Sequence, residues 1–183
     1  MVATSYAAIV LCGLYALLMG KKEALFLRLG LLLTVGADFC LVVCHPIQRL
    51  WGMVFFLGAQ TMYAVHLGGR PWRWWLRGAV SLCALVVTAL VLRENTDALA
   101  LVSVCYYGNL ILNLLFAFFN KNRMLGIAFV LFLLCDTVIG LQVAAKGYLP
   151  IAEGSWLHSL IFSDFNLSWF FYLPSQVLLA ICA

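Results

Sequence analysis

Two aspartates sit inside apolar stretches long enough to cross a bilayer, and no other feature limits the fold as severely. The first, Asp38, lies in Gly30–Val43, which reads GLLLTVGADFCLVV. The second, Asp136, lies in Gly126–Gly140, which reads GIAFVLFLLCDTVIG. Placing an aspartate at the centre of a spanning helix costs about 3 kcal/mol on insertion scales, so an intramembrane carboxylate marks a functional site by default. The expectation is that both residues face one polar pocket within a bundle of membrane helices.

Composition supports the bilayer. Of 183 residues, 66% are hydrophobic and 10% are charged, with a mean hydropathy of +1.06. Soluble domains carry roughly 25% charged residues. The longest connection between apolar runs, roughly Lys146–Asp164, leaves no room for a soluble domain, so residues 1–183 read as a single transmembrane domain. The net charge of +4 is spread between apolar runs, which points to membrane topology and away from nucleic acid. The seven cysteines lie in or at the ends of apolar runs and form no C-x-x-C pair. They read as small packing residues, with neither a zinc site nor a disulfide framework. The first run lacks a basic segment before it and reads as a spanning helix, not a cleaved signal.

Spanning helices need about 20 mostly apolar residues. Seven candidates are found, at about residues 4–19, 24–44, 50–67, 74–92, 98–119, 124–145 and 165–182. No run shows the alternation of a membrane barrel strand, so the fold class is all-α, a polytopic bundle of about seven transmembrane helices. Between the last two runs, Gly154–Ser163 suggests an interfacial half-helix or a re-entrant piece. The first, third and fifth connections hold Lys21, Lys22, Arg28, Arg70, Arg73, Arg77, Lys121 and Arg123. The second, fourth and sixth hold Arg49, Arg93 and Lys146, together with Glu94, Asp97, Glu153 and Asp164. Basic residues favour the cytoplasmic side, which puts the N-terminus outside and the C-terminus inside, in a bacterial plasma membrane. Trp72, Trp74 and Trp75 fit an interfacial aromatic belt.

Depth gathers the polar residues. At 1.5 Å rise per residue, Asp38 lies roughly 10 Å from the outer end of its helix, Asp136 and Gln60 roughly 15 Å, and Gln176 roughly 18 Å. Four polar side chains on four helices are therefore expected in one layer near the midplane. Tyr63 shares a face with Gln60, and Tyr172 with Gln176. Tyr106, Tyr107, Asn109 and Asn113 on the fifth helix add to the layer. An Asp helix followed by a Gln helix occurs twice, four helices apart, which hints at duplication.

Asparagines and glutamines commonly stitch membrane helices together, at ~0.6 kcal/mol each, and Asn109 and Asn113 suit that role. The aspartates differ. Every Lys and Arg is expected at a helix end, so neither carboxyl has a countercharge at its depth. Desolvation then favours the neutral acid in at least one of them, and a neutral acid beside an ionised base is a common acid/base device. His45, His66 and His158 read as interfacial. Pro174, two residues before Gln176, opens its helix beside the site or only kinks it.

These residues resemble those of the YhhN-like membrane proteins, whose animal members are lysoplasmalogenases. GLLLTVGADFCLV matches through Asp38, GMVFFLGAQTMY through Tyr63, GIAFVLFLLCD through Asp136, and FFYLPSQVLLA through Tyr172 and Gln176. The resemblance covers roughly residues 25–183 and rests on the order and spacing of motifs along successive helices. There are departures: Ala37 replaces the usual Gly, Gln60 the usual His, and Cys135 the usual Ser. The usual early Lys-Pro pair is absent, and seven helices stand where the family is described with eight. A missing first helix agrees with an N-terminus outside.

What the resemblance implies is hydrolysis of the vinyl ether bond of a lysoplasmalogen-like lysophospholipid, a small-molecule substrate drawn from membrane lipid, with no cofactor and no metal. Asp38 and Asp136 would be the catalytic acid and base, in either order, and would need to lie within ~10 Å of each other. Gln60, Tyr63, Tyr107, Asn113, Tyr172 and Gln176 would bind substrate and water. Two other classes compete: a diverged lipid-binding protein without turnover, and a small proton-coupled transporter with the aspartates as relay groups. An intramembrane aspartyl protease fits less well, because its Tyr-Asp and Gly-x-Gly-Asp motifs are missing.

Overall fold

The computed structural model describes residues 2–44, 48–147, 155–162 and 165–183. Helices account for nearly all of them, and no strand occurs among the described residues. The elements are α1 (Val2–Met19), α2 (Leu25–Asp38), α3 (Arg49–His66), α4 (Pro71–Leu92), α5 (Ala98–Phe119), α6 (Arg123–Gly147), α7 (Trp156–Ile161) and α8 (Leu167–Cys182). The chain is an all-α membrane bundle. Lys22–Val43, Pro71–Leu92, Ala98–Phe119 and Arg123–Val143 have the length and apolarity to cross a bilayer, and α1 and α8 are shorter apolar helices. Among the described residues, four helices therefore have the full length and apolarity expected of the seven spans.

Local chemistry sets the boundaries. Pro71 occupies the first turn of α4, where its missing N–H costs nothing. That starts the helix three residues earlier than the apolar run does, and it takes Trp72 and Arg73 into the helix. Asp97 caps α5 by accepting from the Ala100 amide at 2.7 Å. Asn122 and Asn166 do the same for the Leu125 and Trp169 amides at the starts of α6 and α8. Gly68 ends the turn after α3 with φ +73°, the left-handed conformation glycine adopts without strain.

Two helix pairs dominate the packing, α2 against α3 and α6 against α8, with α5 bridging α3 and α6. These are the Asp-helix and Gln-helix pairs whose order repeats in the sequence. In contrast, α4 packs chiefly on α5, and its outer residues Leu82, Val86, Leu90 and Val91 are exposed. Its apolar surface is that of a helix facing lipid. Helix α8 continues through Pro174. The short α7 lies within the stretch expected to hold an interfacial half-helix or a re-entrant piece, whose end residues Gly154 and Ser163 are outside the described residues, and its Ile161 carbonyl accepts from Gln142 Nε2 of α6 at 2.8 Å.

The first, third and fifth connections gather at one end. The Lys21 amide donates to the Ala183 carbonyl at 2.7 Å. Arg73 donates to Asn120 Oδ1 at 3.0 Å, and Asn120 Nδ2 to the Leu67 carbonyl at 2.7 Å. This is the basic end. Arg28 lies within α2 and turns back to the Leu17 carbonyl at 2.8 Å. Trp72, Trp74 and Trp75 are exposed there, as a belt requires. His45, Glu153 and Asp164 lie outside the described residues.

Candidate active site

Helix α2 stops being α-helical at Asp38. The next five residues, Phe39–Val43, form a π-helical turn, closed by the Cys44 amide on the Phe39 carbonyl at 3.1 Å. Such turns insert one extra residue and re-aim the side chains beside them, and they occur often at functional sites. Asp38 is only 4% exposed. Its Oδ2 accepts the Tyr172 hydroxyl of α8 at 2.6 Å. That length is typical of a charge-assisted O–H···O⁻ bond.

Asp136, on α6, has the same kind of partner. Its Oδ2 accepts the hydroxyl of Tyr106 on α5. The two acid–tyrosine pairs are joined by a ring: Phe132, one turn before Asp136, lies 5.4 Å from Tyr172 and 6.5 Å from Tyr106 between centroids. Phe56 of α3 closes the group, 5.5 Å from Tyr106 and 5.9 Å from Phe132. Two carboxyl groups from α2 and α6, each held by a phenol, thus share one aromatic-walled region. This arrangement can give and take protons with little water present.

A second polar group lies deeper toward the basic end. Arg77 Nη2 donates to Asn113 Oδ1 at 2.7 Å, and Arg77 Nη1 to Asn109 Oδ1 at 3.1 Å. Asn113 Nδ2 donates to Gln60 Oε1 at 2.8 Å and to the Gln60 carbonyl at 2.9 Å. Along α5, Asn113 is roughly 10 Å from Tyr106, and along α8, Gln176 is roughly 6 Å from Tyr172. The single midplane layer expected from depth is therefore two groups, an acid–tyrosine group and a carboxamide group. Arg77 corrects a second expectation. It belongs to α4, not to a connection, and it is 6% exposed. Of the residues of α4 it alone is buried. A buried cation is tolerated because both carboxamide oxygens and the rings of Trp74 and Phe116, 5.8 and 5.3 Å away, surround it.

The remaining site residues fall as follows. Tyr63 is fully buried and shares a hydrogen bond with Thr34 Oγ1 at 3.1 Å. It packs flat against Gly30, where a Cβ would sit 2.2 Å from its ring. Tyr107 pairs with Thr137 Oγ1 at 2.8 Å; its neighbour Tyr106 is the one that meets a carboxylate. Gln176 is fully buried. Gln176 Oε1 and Nε2, Gln60 Nε2 and Ser175 Oγ make no hydrogen bond among the described residues. Tyr106, Asn109 and Asn113 stand at i, i+3 and i+7, one helix face, and that period is the signal that separates Tyr106 from Tyr107. Nothing in the sequence singled out Phe132 or Thr34.

Comparison with family models matches the YhhN family over residues 2–181. The chain belongs to the YhhN family. No match is found among curated proteins or among solved structures. In this YhhN protein the matched region includes both aspartates, both tyrosine partners and the carboxamide group.

Proposed function

We propose that this YhhN protein hydrolyses the vinyl ether bond of a lysoplasmalogen-like lysophospholipid, using Asp38 and Asp136. The observation that carries the reading is the pair of carboxyl groups inside the bundle, each fixed by one tyrosine hydroxyl, with Phe132 packed against both tyrosines. Membership of the YhhN family supports it.

The chemistry needs an acid and a base and nothing harsher. One aspartic acid protonates the alkenyl carbon remote from oxygen, which leaves an oxocarbenium ion on the other carbon. The second, ionised aspartate stabilises that cation and takes a proton from the water that adds to it. The product is a hemiacetal. Its carbon–oxygen bond to glycerol breaks as the aspartate protonated by water gives its proton to the glycerol oxygen and the first aspartate takes the hydroxyl proton back, and a fatty aldehyde and a glycerophospho-base are released. Tyr106 and Tyr172 hold the carboxyl groups while protons move. General acid–base catalysis of this kind contributes roughly 10²–10⁴-fold.

The same reading puts the basic end, with the first, third and fifth connections, at the cytoplasmic face. The test is aldehyde release from lysoplasmalogen by the purified protein in detergent, beside folded Asp38→Asn and Asp136→Asn. Release by the parent and its loss in both variants is the expected result. A folded parent that binds the lipid but releases no aldehyde across several head groups would replace this reading with the non-catalytic one.

A further inference from the structure

The carboxamide group has a direction. Arg77 has only N–H donors, so the Asn113 atom facing it at 2.7 Å must be Oδ1. That leaves Asn113 Nδ2 on the other side, where the backbone carbonyl of Gln60, an acceptor only, receives it at 2.9 Å. The two constraints agree, and the orientation of Asn113 is settled by chemistry. Asn113 Nδ2 also donates to the Gln60 side chain at 2.8 Å, so the atom there must be Oε1. Gln60 therefore has one orientation as well: Nε2, with two hydrogens, points away from Asn113. That nitrogen is buried and has no acceptor among the described residues. Three residues on three helices, Arg77 of α4, Asn113 of α5 and Gln60 of α3, form a one-way relay that ends on an unused donor.

We infer that Arg77 and Asn113 are positioning residues whose task is to lock Gln60 Nε2 as a donor toward an oxygen of the bound lipid. The ligand atom is an acceptor: an ether, hydroxyl or phosphate oxygen of a lysophospholipid. Across the fold, Gln176 and Ser175 of α8 add further buried, unpartnered polar atoms, as a site for an oxygen-rich ligand requires. Gln60 lies one turn from Phe56, which itself lines the acid–tyrosine group. The relay thus sets ligand position about one helix turn deeper than the acid–tyrosine group, without touching the reacting atoms. It deepens the proposed hydrolysis and rests on that reading for the identity of the lipid alone.

The test uses the full chain in detergent with two readouts. Binding is followed by tryptophan fluorescence with a saturated 1-alkyl lysophospholipid, which has no vinyl ether to cleave. Turnover is followed with the vinyl ether substrate. Gln60→Met keeps length and apolar bulk and removes the donor; binding should weaken about tenfold, with KM raised by a similar factor and kcat within about twofold. Asn113→Asp keeps an acceptor for Arg77 and turns the Gln60 amide around, so that Oε1 points inward. It should weaken binding more than Gln60→Met does; the new carboxylate pairs with Arg77 but also faces the Gln60 backbone carbonyl, so the thermal midpoint should fall while the variant still folds. Arg77→Lys, still a pure donor, should restore most of the binding that Arg77→Met loses. Unchanged binding in Gln60→Met and Asn113→Asp, both folded, would overturn the relay and mean that water alone meets Nε2. A parent without turnover whose binding is still lost in both variants would overturn the hydrolase reading and leave the relay standing.

Discussion

The Tyr172 hydroxyl donates to Asp38 Oδ2 at 2.6 Å, across 134 positions of sequence. This bond ties α8 to α2 at the point where α2 changes from α to π geometry. Both groups are buried. A buried carboxylate that loses such a donor pays most of its desolvation again, so the phenol and the acid depend on each other for their place in the bilayer.

Tyr172→Phe removes that donor and keeps the ring against Phe132. The unfolding free energy in detergent should drop by about 1.5–3 kcal/mol, the range for a hydrogen bond to a charged group. Aldehyde release should fall at least tenfold, because the carboxyl of Asp38 is then free to turn. Tyr106→Phe should act in the same way on Asp136. Tyr107→Phe loses only its bond to Thr137 and should leave turnover within about twofold. Equal losses for Tyr106→Phe and Tyr107→Phe would contradict this division of the two tyrosines.

Gly30→Ala places a methyl group where the Tyr63 ring already is, at 2.2 Å. The ring is fully buried and held by Thr34, so it cannot swing aside freely. Overpacking of this kind costs about 1–3 kcal/mol. Gly78→Ala is the control, because nothing lies within 4 Å of its Cβ. There the usual helix preference for alanine applies, and stability should rise by up to about 1 kcal/mol. Thermal midpoints in one detergent separate the two.

Much of this was legible in the chain. Apolar length gave the helices, and two lone carboxylates gave the centre of the site, because an aspartate in lipid is costly enough to show through any background. What stayed hidden depends on direction around and along the helix. Depth alone put Gln60, Gln176, Asp38 and Asp136 in one layer. The bonds divide the polar residues, with Asp38 and Asp136 on tyrosines and Gln60 on Asn113. Arg77 counts with the basic residues of the third connection although the apolar run begins at Trp74, because a cation reads as a helix end. Its burial depends on Asn109 and Asn113 of another helix, and sequence position along α4 does not show those partners. Phe132 carries no polar atom, so only contacts reveal that it joins the two tyrosines.

The connections that meet one another share a face of the bundle. Arg73 and Asn120 tie the third connection to the fifth, and Lys21 meets Ala183, so these segments share one face. With the basic residues concentrated there, a Lys121→Cys variant should resist an impermeant thiol reagent in intact cells, and Glu94→Cys should react. Cys83 is exposed on the outer surface of α4, so both variants are compared in a Cys83→Ala background. Reaction at Lys121→Cys and protection at Glu94→Cys would invert the topology while leaving the site intact.

Phe132 decides whether the two carboxyl groups act as one site. It is fully buried and touches both partner tyrosines. Phe132→Leu keeps most of the volume and loses the flat surface that spaces the rings; stability should fall by less than about 1.5 kcal/mol. Phe132→Ala opens a cavity and should cost about 3–5 kcal/mol. If the phenols must stay in register for acid and base to cooperate, Phe132→Leu should lower kcat by tenfold or more with little change in KM. The coupling is measured by a double-mutant cycle of Phe132→Leu with Tyr172→Phe. Residues in contact typically show interaction energies of about 0.5–3 kcal/mol. Additive losses in kcat would mean that each aspartate–tyrosine pair works without the ring between them.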